Sequence, residues 1–181
     1  LTLGIVPRCI EYLDHACLDL VRDRIDFDFP EQTKAMLIIE LDGPKSVVKT
    51  DHDRLLSYLE RQSVLRVINA PDQKEAEKLW QARKALSPIL FKIARHKINE
   101  DIVVPIDRIP DLVDAADRIR TEFALSMVCF GHAGDGNIHC NIMYDKNDPE
   151  QTDKALRSVD DLFRKTLELG GTITGEHGVG T

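Results

Sequence analysis

Two apolar runs, Leu125 to Gly131 and Ile138 to Tyr144, flank the segment Phe130-Gly-His-Ala-Gly-Asp-Gly-Asn-Ile-His139. Asp135-Gly136 is a favoured pair for a two-residue hairpin turn. The segment therefore commits the chain to an antiparallel sheet in which these two strands are neighbours. With that turn, Gly134 pairs with Asn137, Ala133 with Ile138, and His132 with His139. Directly opposed residues share a face, with β-carbons about 4.5–5.5 Å apart. A slip of one residue would send one imidazole to the opposite face. The expected register lets both rings converge on one ion, because neutral imidazoles and carboxylates are common ligands of catalytic divalent metals.

The remaining pattern alternates helices with strands. Ile10, Leu13, Cys17, Leu20 and Val21 recur at helical spacing, which predicts a helix over roughly residues 8–24. Ala35 to Leu41 reads as a strand ended by Asp42-Gly43-Pro44. Pro44 suits the start of a helix that continues to about Gln62. Residues 63–69 alternate and predict a second strand. Pro71-Asp72 opens a charged helix through Ala85, with Pro88 kinking or breaking it. Asp101 to Val104 predicts a strand stopped at Pro105, and Pro110 starts another helix. Asp148-Pro149 supplies an N-cap and first helical residue, and Gly170-Gly171 ends that last helix. The sum is an α+β fold, an antiparallel sheet with helices packed on one face. There is no internal repeat.

Composition removes several functional classes. The 181 residues carry a net charge of -7 with no basic cluster, which argues against a nucleic-acid surface. The longest apolar runs are far too short to span a bilayer. Cys9, Cys17, Cys129 and Cys140 form no C-x-x-C pair, so a zinc ribbon is not expected. In one helix Cys9 and Cys17 would lie roughly 12 Å apart, too far for a disulfide. Reduced thiols in a cytoplasmic protein are the simpler reading. His15, His52 and His96 lie in charged sequence and read as surface.

Gly175-Glu-His-Gly-Val-Gly180 adds an adjacent acid and base on a glycine-rich stretch. In an extended segment the two side chains face opposite ways, so they divide the work. Glu176 is the candidate third metal ligand. His177, with an ordinary pKa of about 6.5, is the candidate general base.

These motifs carry a resemblance. Gly131 to His139 and Gly171 to Gly180, with Leu79-Trp-Gln-Ala-Arg83 and Asn99-Glu-Asp-Ile-Val-Val-Pro105, resemble the C-terminal domain of FAD-linked oxidases. That group includes glycolate oxidase catalytic subunits, D-lactate dehydrogenases and D-2-hydroxyglutarate dehydrogenases. The resemblance implies a ferredoxin-like cap domain that binds substrate and metal beside a flavin. It implies that FAD accepts a hydride from a small 2-hydroxy acid, and that a divalent metal, often zinc, lowers the pKa of the substrate hydroxyl. By resemblance His132, His139 and Glu176 are the metal ligands, and His177 is the base. Arg83 is the clamp on the substrate carboxylate, which a guanidinium fork fits bidentately. Asn137, Gly175 and Gly178 are placed beside flavin or substrate. The implied partners are an FAD-binding domain and an electron acceptor, either a protein or a quinone.

The expected domain organisation follows. Residues 1–181 form one substrate- and metal-binding domain, incomplete at its C-terminus, with the FAD-binding domain upstream and absent, so the chain alone is expected to be inactive. A stand-alone α+β module that binds a small acid or a metal without chemistry is the alternative.

Overall fold

The structure, a computed structural model, describes residues 3–25 and 27–178. In chain order the elements are β1 (Cys9–Asp14), α1 (His15–Val21), β2 (Ala35–Glu40), α2 (Lys45–Leu59), α3 (Gln73–Leu90), β3 (His96–Val103), α4 (Ile109–Phe123), β4 (Ser126–His132), β5 (Asn137–Tyr144) and α5 (Pro149–Glu168). The strands form one sheet in the order β2-β1-β4-β5-β3. Every neighbouring pair is antiparallel. The fold is the α+β class that the sequence predicts.

Each face of the sheet has its own core. The expected helical layer is α4 and α5, whose Leu112, Ala116, Ile119, Ala155 and Leu162 pack on Ile102, Met127, Cys129, Ile138 and Ile142. Strand residues alternate faces. The intervening positions Leu13, Val128, Phe130 and Met143 therefore point the other way, where α1 and α3 cover them with Leu18, Val21, Leu86 and Leu90. Among the described residues no helix is long and apolar enough to cross a membrane.

Four expectations of local structure change. Residues 8–24 are not one helix: Cys9–Asp14 is a strand, and only His15–Val21 is helical. The strand is covered on both faces, with Tyr12 in one core and Leu13 in the other. Its apolar positions therefore lose the two-residue period and run into the helical spacing of Leu13, Cys17 and Val21. Asp14 makes the break. One of its carboxylate oxygens accepts the Cys17 N–H at 2.7 Å to cap α1, and the other accepts the Cys129 N–H at 2.9 Å. Burial raises the Asp14 pKa, and these backbone donors oppose the rise.

Residues 63–69 form no strand, and Val64, Leu65 and Val67 are exposed. Alternation yields a strand only where a neighbouring edge accepts its backbone groups, and this stretch pairs with none among the described residues. The third strand is longer than expected and begins at His96. Pro88 neither breaks nor ends α3, and the helix runs on past it to Leu90. The four cysteines are free, and all but Cys9 are buried. His52 shares a contact with Asn69, while His15 and His96 are half-buried beside Arg120 and Asp145.

Asp148 caps α5 as expected, accepting from the N–H groups of Glu150 and Gln151 at 2.9 and 3.2 Å. The Gln151 backbone donor leads in holding its pKa below the ordinary value. Its contribution is thus complete above the unfolded value of about 3.9 and is lost as pH falls through the lower folded value. Asp148→Ala is expected to lower the melting temperature by about 2–4 °C at neutral pH. The gap between parent and variant should close below about pH 4, as thermal melts followed by circular dichroism will show.

Candidate active site

The β4–β5 hairpin builds the centre, in a register different from the expected one. Its pairs are His132–Asn137, Gly131–Ile138 and Phe130–His139, so the loop spans residues 133–136 rather than two residues. The His132 carbonyl accepts from Asp135 N at 3.3 Å and Gly136 N at 3.2 Å, and Asp135 Oδ1 accepts from Asn137 N at 3.1 Å. Gly136 has φ +86°, and a β-carbon there would lie 2.0 Å from the Val104 carbonyl oxygen. The loop thus docks on the end of β3, with Val104 N donating to Gly136 O at 3.1 Å. The offset from expectation is two residues. An even offset keeps every side chain on its face. His132 and His139 are therefore diagonal neighbours rather than opposed, and their ring centroids lie 5.6 Å apart with planes at 84°.

A buried carboxylate from β1 meets the first ring. Glu11 pairs directly with His132 and is 4% exposed. Its Oε1 lies 2.5 Å from His132 Nδ1, and its Oε2 accepts from Arg83 Nε at 2.7 Å. Arg83 reaches down from α3 beside the buried Ala82, and its guanidinium carbon sits 4.4 Å above the Phe130 ring. Trp80, one turn earlier, packs at the edge of the same core and donates to Glu40 at 3.2 Å.

A second buried carboxylate holds the C-terminal segment. After α5, Gly170 adopts φ +78°, and Thr172 then bridges to Val103 through a reciprocal pair of hydrogen bonds at 2.8 and 3.0 Å. Beyond it, Asp101 Oδ2 accepts three successive backbone N–H groups, from Gly175 at 3.2 Å, Glu176 at 2.5 Å and His177 at 2.8 Å. Burial works to raise the Asp101 pKa. The His177 and Glu176 donors outweigh it and hold the pKa below the ordinary value. Gly175 is needed within the protein itself, since a β-carbon would lie 2.7 Å from Asn137 Nδ2 and 3.0 Å from Asp101 Oδ1.

This clip brings Glu176 and His177 to the ring pair. Glu176 Oε1 lies 3.9 Å from His132 Nε2, and the His177 ring centroid lies 5.9 Å from that of His139. One ligand atom each from His132, His139 and Glu176 falls within 4.8 Å of the others; a set of Asp101, His139 and His177 does the same. A tetrahedral zinc ion needs nitrogen and oxygen ligands roughly 3.3 Å apart, so either set would close by at most about 1.5 Å. The polar atoms in reserve fit such a group: His139 Nδ1, Asp101 Oδ1 and Asn137 Oδ1 are buried with no hydrogen-bond partner among the described residues, the first two standing 3.5 Å apart. Burial is the main cause that lowers the His139 pKa, with Asp101 opposing and His132 and Arg83 assisting. The ring thus stays neutral, the form that binds metals.

The sequence-expected residues Arg83, His132, Asn137, His139, Gly175, Glu176 and His177 all meet on this face. Gly178 lies at the exposed end of the described segment with φ +71° and nothing within 4 Å of where a β-carbon would stand. Gly180 lies outside the described residues. Sequence reasoning missed two residues. Glu11 gave one signal, a lone carboxylate in the apolar run Cys-Ile-Glu-Tyr-Leu, hidden by the helical reading. Asp101 stood inside the Glu-Asp-x-x-Val-Pro motif without an assigned role. Asp101→Ala should leave three backbone donors without their acceptor. Hydrogen exchange of the Gly175, Glu176 and His177 amides is expected to rise at least about tenfold, with the sheet amides unchanged.

The comparisons with known proteins agree with one another. The model of the FAD linked oxidases C-terminal domain matches residues 2–181. The glycolate oxidase subunit GlcD of Bacillus subtilis is 35% identical over 97% of this chain and 37% of its own length. GlcD of Escherichia coli K12 is 30% identical over 98% of this chain and 36% of its own. The chain thus spans little more than a third of these relatives. An alkyldihydroxyacetonephosphate synthase structure superposes with a TM-score of 0.60 at 14% identity, over 96% of this chain and 36% of that one, a likeness of fold. With its sheet, its paired imidazoles and this match along nearly its whole length, the chain belongs to the family of FAD-linked oxidase C-terminal domains.

Proposed function

We propose that this chain is the substrate- and metal-binding domain of a flavin-dependent oxidoreductase of small 2-hydroxy acids, of the glycolate or D-lactate type, working against an FAD-binding domain. The observation that carries the reading is the meeting of His132, His139 and Glu176 on the sheet face that also holds Arg83 and His177. A divalent ion, zinc by its ligand types, would polarise the substrate hydroxyl there, and FAD would supply the hydride acceptor.

The chain's own residues supply the rest. Arg83 binds the substrate carboxylate. Its Nε is taken by Glu11, and its two terminal nitrogens have no hydrogen-bond partner among the described residues, so the end of the fork is open to a bidentate anion. His177 takes the hydroxyl proton. It reaches the centre from the exposed side, where substrate would arrive, while its backbone is fixed by Asp101. Glu176 is preferred over Asp101 as the third ligand, because its Oε1 lies 3.9 Å from His132 Nε2 in one cluster with both hairpin imidazoles, whereas the Asp101 cluster draws in His177 instead of His132. Asn137 and Gly175 form the wall toward the flavin.

Calorimetric titration with zinc and with manganese tests the metal reading. The parent should bind one ion. His132→Ala and His139→Ala should each weaken binding by more than the about 10–100-fold that loss of a supporting residue costs. Parental affinity in both variants would remove the assignment. In the flavin-loaded enzyme with glycolate or D-lactate, His177→Ala should lower kcat by about 10²–10⁴-fold while zinc affinity stays near parental.

A further inference from the structure

Glu11 is the least expected residue of the centre. It is an acid at 4% exposure in a strand covered on both sides, a placement that is costly unless every acceptor oxygen is used. Both are used. Oε1 faces His132 Nδ1 at 2.5 Å, and Oε2 faces Arg83 Nε at 2.7 Å. The register explains the first contact, since Glu11 and His132 are partners across β1 and β4 and share a face. The second depends on α3, which lays Arg83 over Phe130.

We propose that Glu11 is a positioning residue that fixes the His132 imidazole with its proton on Nδ1 and anchors Arg83 to the same carboxylate. One buried anion then sets both the metal-facing nitrogen and the substrate-facing fork. Its functional half rests on the metal reading above. With the proton on Nδ1, the Nε2 lone pair is free. Nε2 is the nitrogen that lies 3.9 Å from Glu176 Oε1, on the side where the ligands gather. A carboxylate behind the distal nitrogen is the usual way a metal-binding histidine is oriented and made more basic. On the Arg83 side, holding Nε leaves the two terminal nitrogens to grip a substrate carboxylate.

The chemistry at position 11 is narrow. Two donors, His132 Nδ1–H and Arg83 Nε–H, converge on one side chain, so it must present two acceptors and no donor. A carboxylate does; an amide cannot. Glutamine has the same shape but turns an N–H₂ toward one partner. If that partner is His132, its Nδ1 must become the acceptor and the proton moves to Nε2, which closes the metal-facing lone pair. Arg83 offers only a donor there, whereas an imidazole can exchange tautomers, so the N–H₂ turns to His132.

The test uses Glu11→Gln and Glu11→Asp. Long-range proton–nitrogen spectra of the metal-free protein report which imidazole nitrogen of His132 carries the proton. The parent and Glu11→Asp should show Nδ1–H, and Glu11→Gln should show Nε2–H or a mixture. Zinc affinity should fall about 10–100-fold in Glu11→Gln and stay within about threefold of parental in Glu11→Asp. Glu11→Gln with an unchanged Nδ1–H signal, or with parental zinc affinity beside a zinc-binding parent, overturns the proposal. If Glu11→Gln does not fold, Glu11→Asp decides: Nε2–H there overturns it, and Nδ1–H with near-parental zinc affinity supports it. A parent that binds no zinc removes the metal reading alone, because the proton position is read without metal.

Discussion

The pairing of β4 with β5 is the constraint on which the rest depends. These strands lie inside the sheet, with β1 on one side and β3 on the other. Their register decides which residues face α4 and α5 and which face α1 and α3. The faces differ in kind. One is filled by Met127, Cys129, Ile138, Cys140 and Ile142. The other carries Val128 and Phe130 under helices and ends with His132 and His139, which Glu176 and His177 of the segment after α5 meet. The site is therefore the polar end of a core face, and the same alternation that buries Phe130 presents His132.

Around the rings, two carboxylates perform different tasks with the same economy. Glu11 collects two side-chain donors from a neighbouring strand and from a helix above. Asp101 collects three backbone donors from a segment that has no regular structure of its own. Each anion is about as buried as the apolar residues beside it. Donors meet both oxygens of Glu11, while Asp101 is filled at Oδ2 and keeps Oδ1 in reserve. The pair also sets the electrostatics. Burial draws His139 toward its neutral form even with Asp101 near.

The sequence showed the parts of this arrangement that depend on local chemistry. Asp148-Pro149 before α5, the hairpin glycines, and the Arg83, His132, His139, Glu176 and His177 set were all legible, because caps, turns and ligand types are written in single residues. What was not legible depends on distant coverage. Cys9–Asp14 read as helix because a strand buried on both faces has no apolar alternation to detect. Residues 63–69 read as strand because alternation is visible in sequence and an accepting edge is not. The hairpin turn was two residues longer than its Asp-Gly pair suggested, since Gly136 is held by Val104, the residue that follows β3. The imidazoles survived that error only because the offset was even. Glu11 could not be assigned without knowing that position 11 stands opposite position 132.

That separation has a consequence for how the centre comes into being. Its contacts join residues 121, 72 and 76 positions apart in Glu11–His132, Glu11–Arg83 and Asp101–His177. Non-local contacts of this length form only after the intervening chain has closed. Neighbours in sequence supply only pairs, His132 with His139 and Glu176 with His177, and a lone pair of imidazoles holds an ion weakly. A ribosome-bound chain that has not yet delivered residues 175–177 carries no finished site. The sheet by itself therefore holds an unfinished site, completed when residues 175–177 are clipped to Asp101.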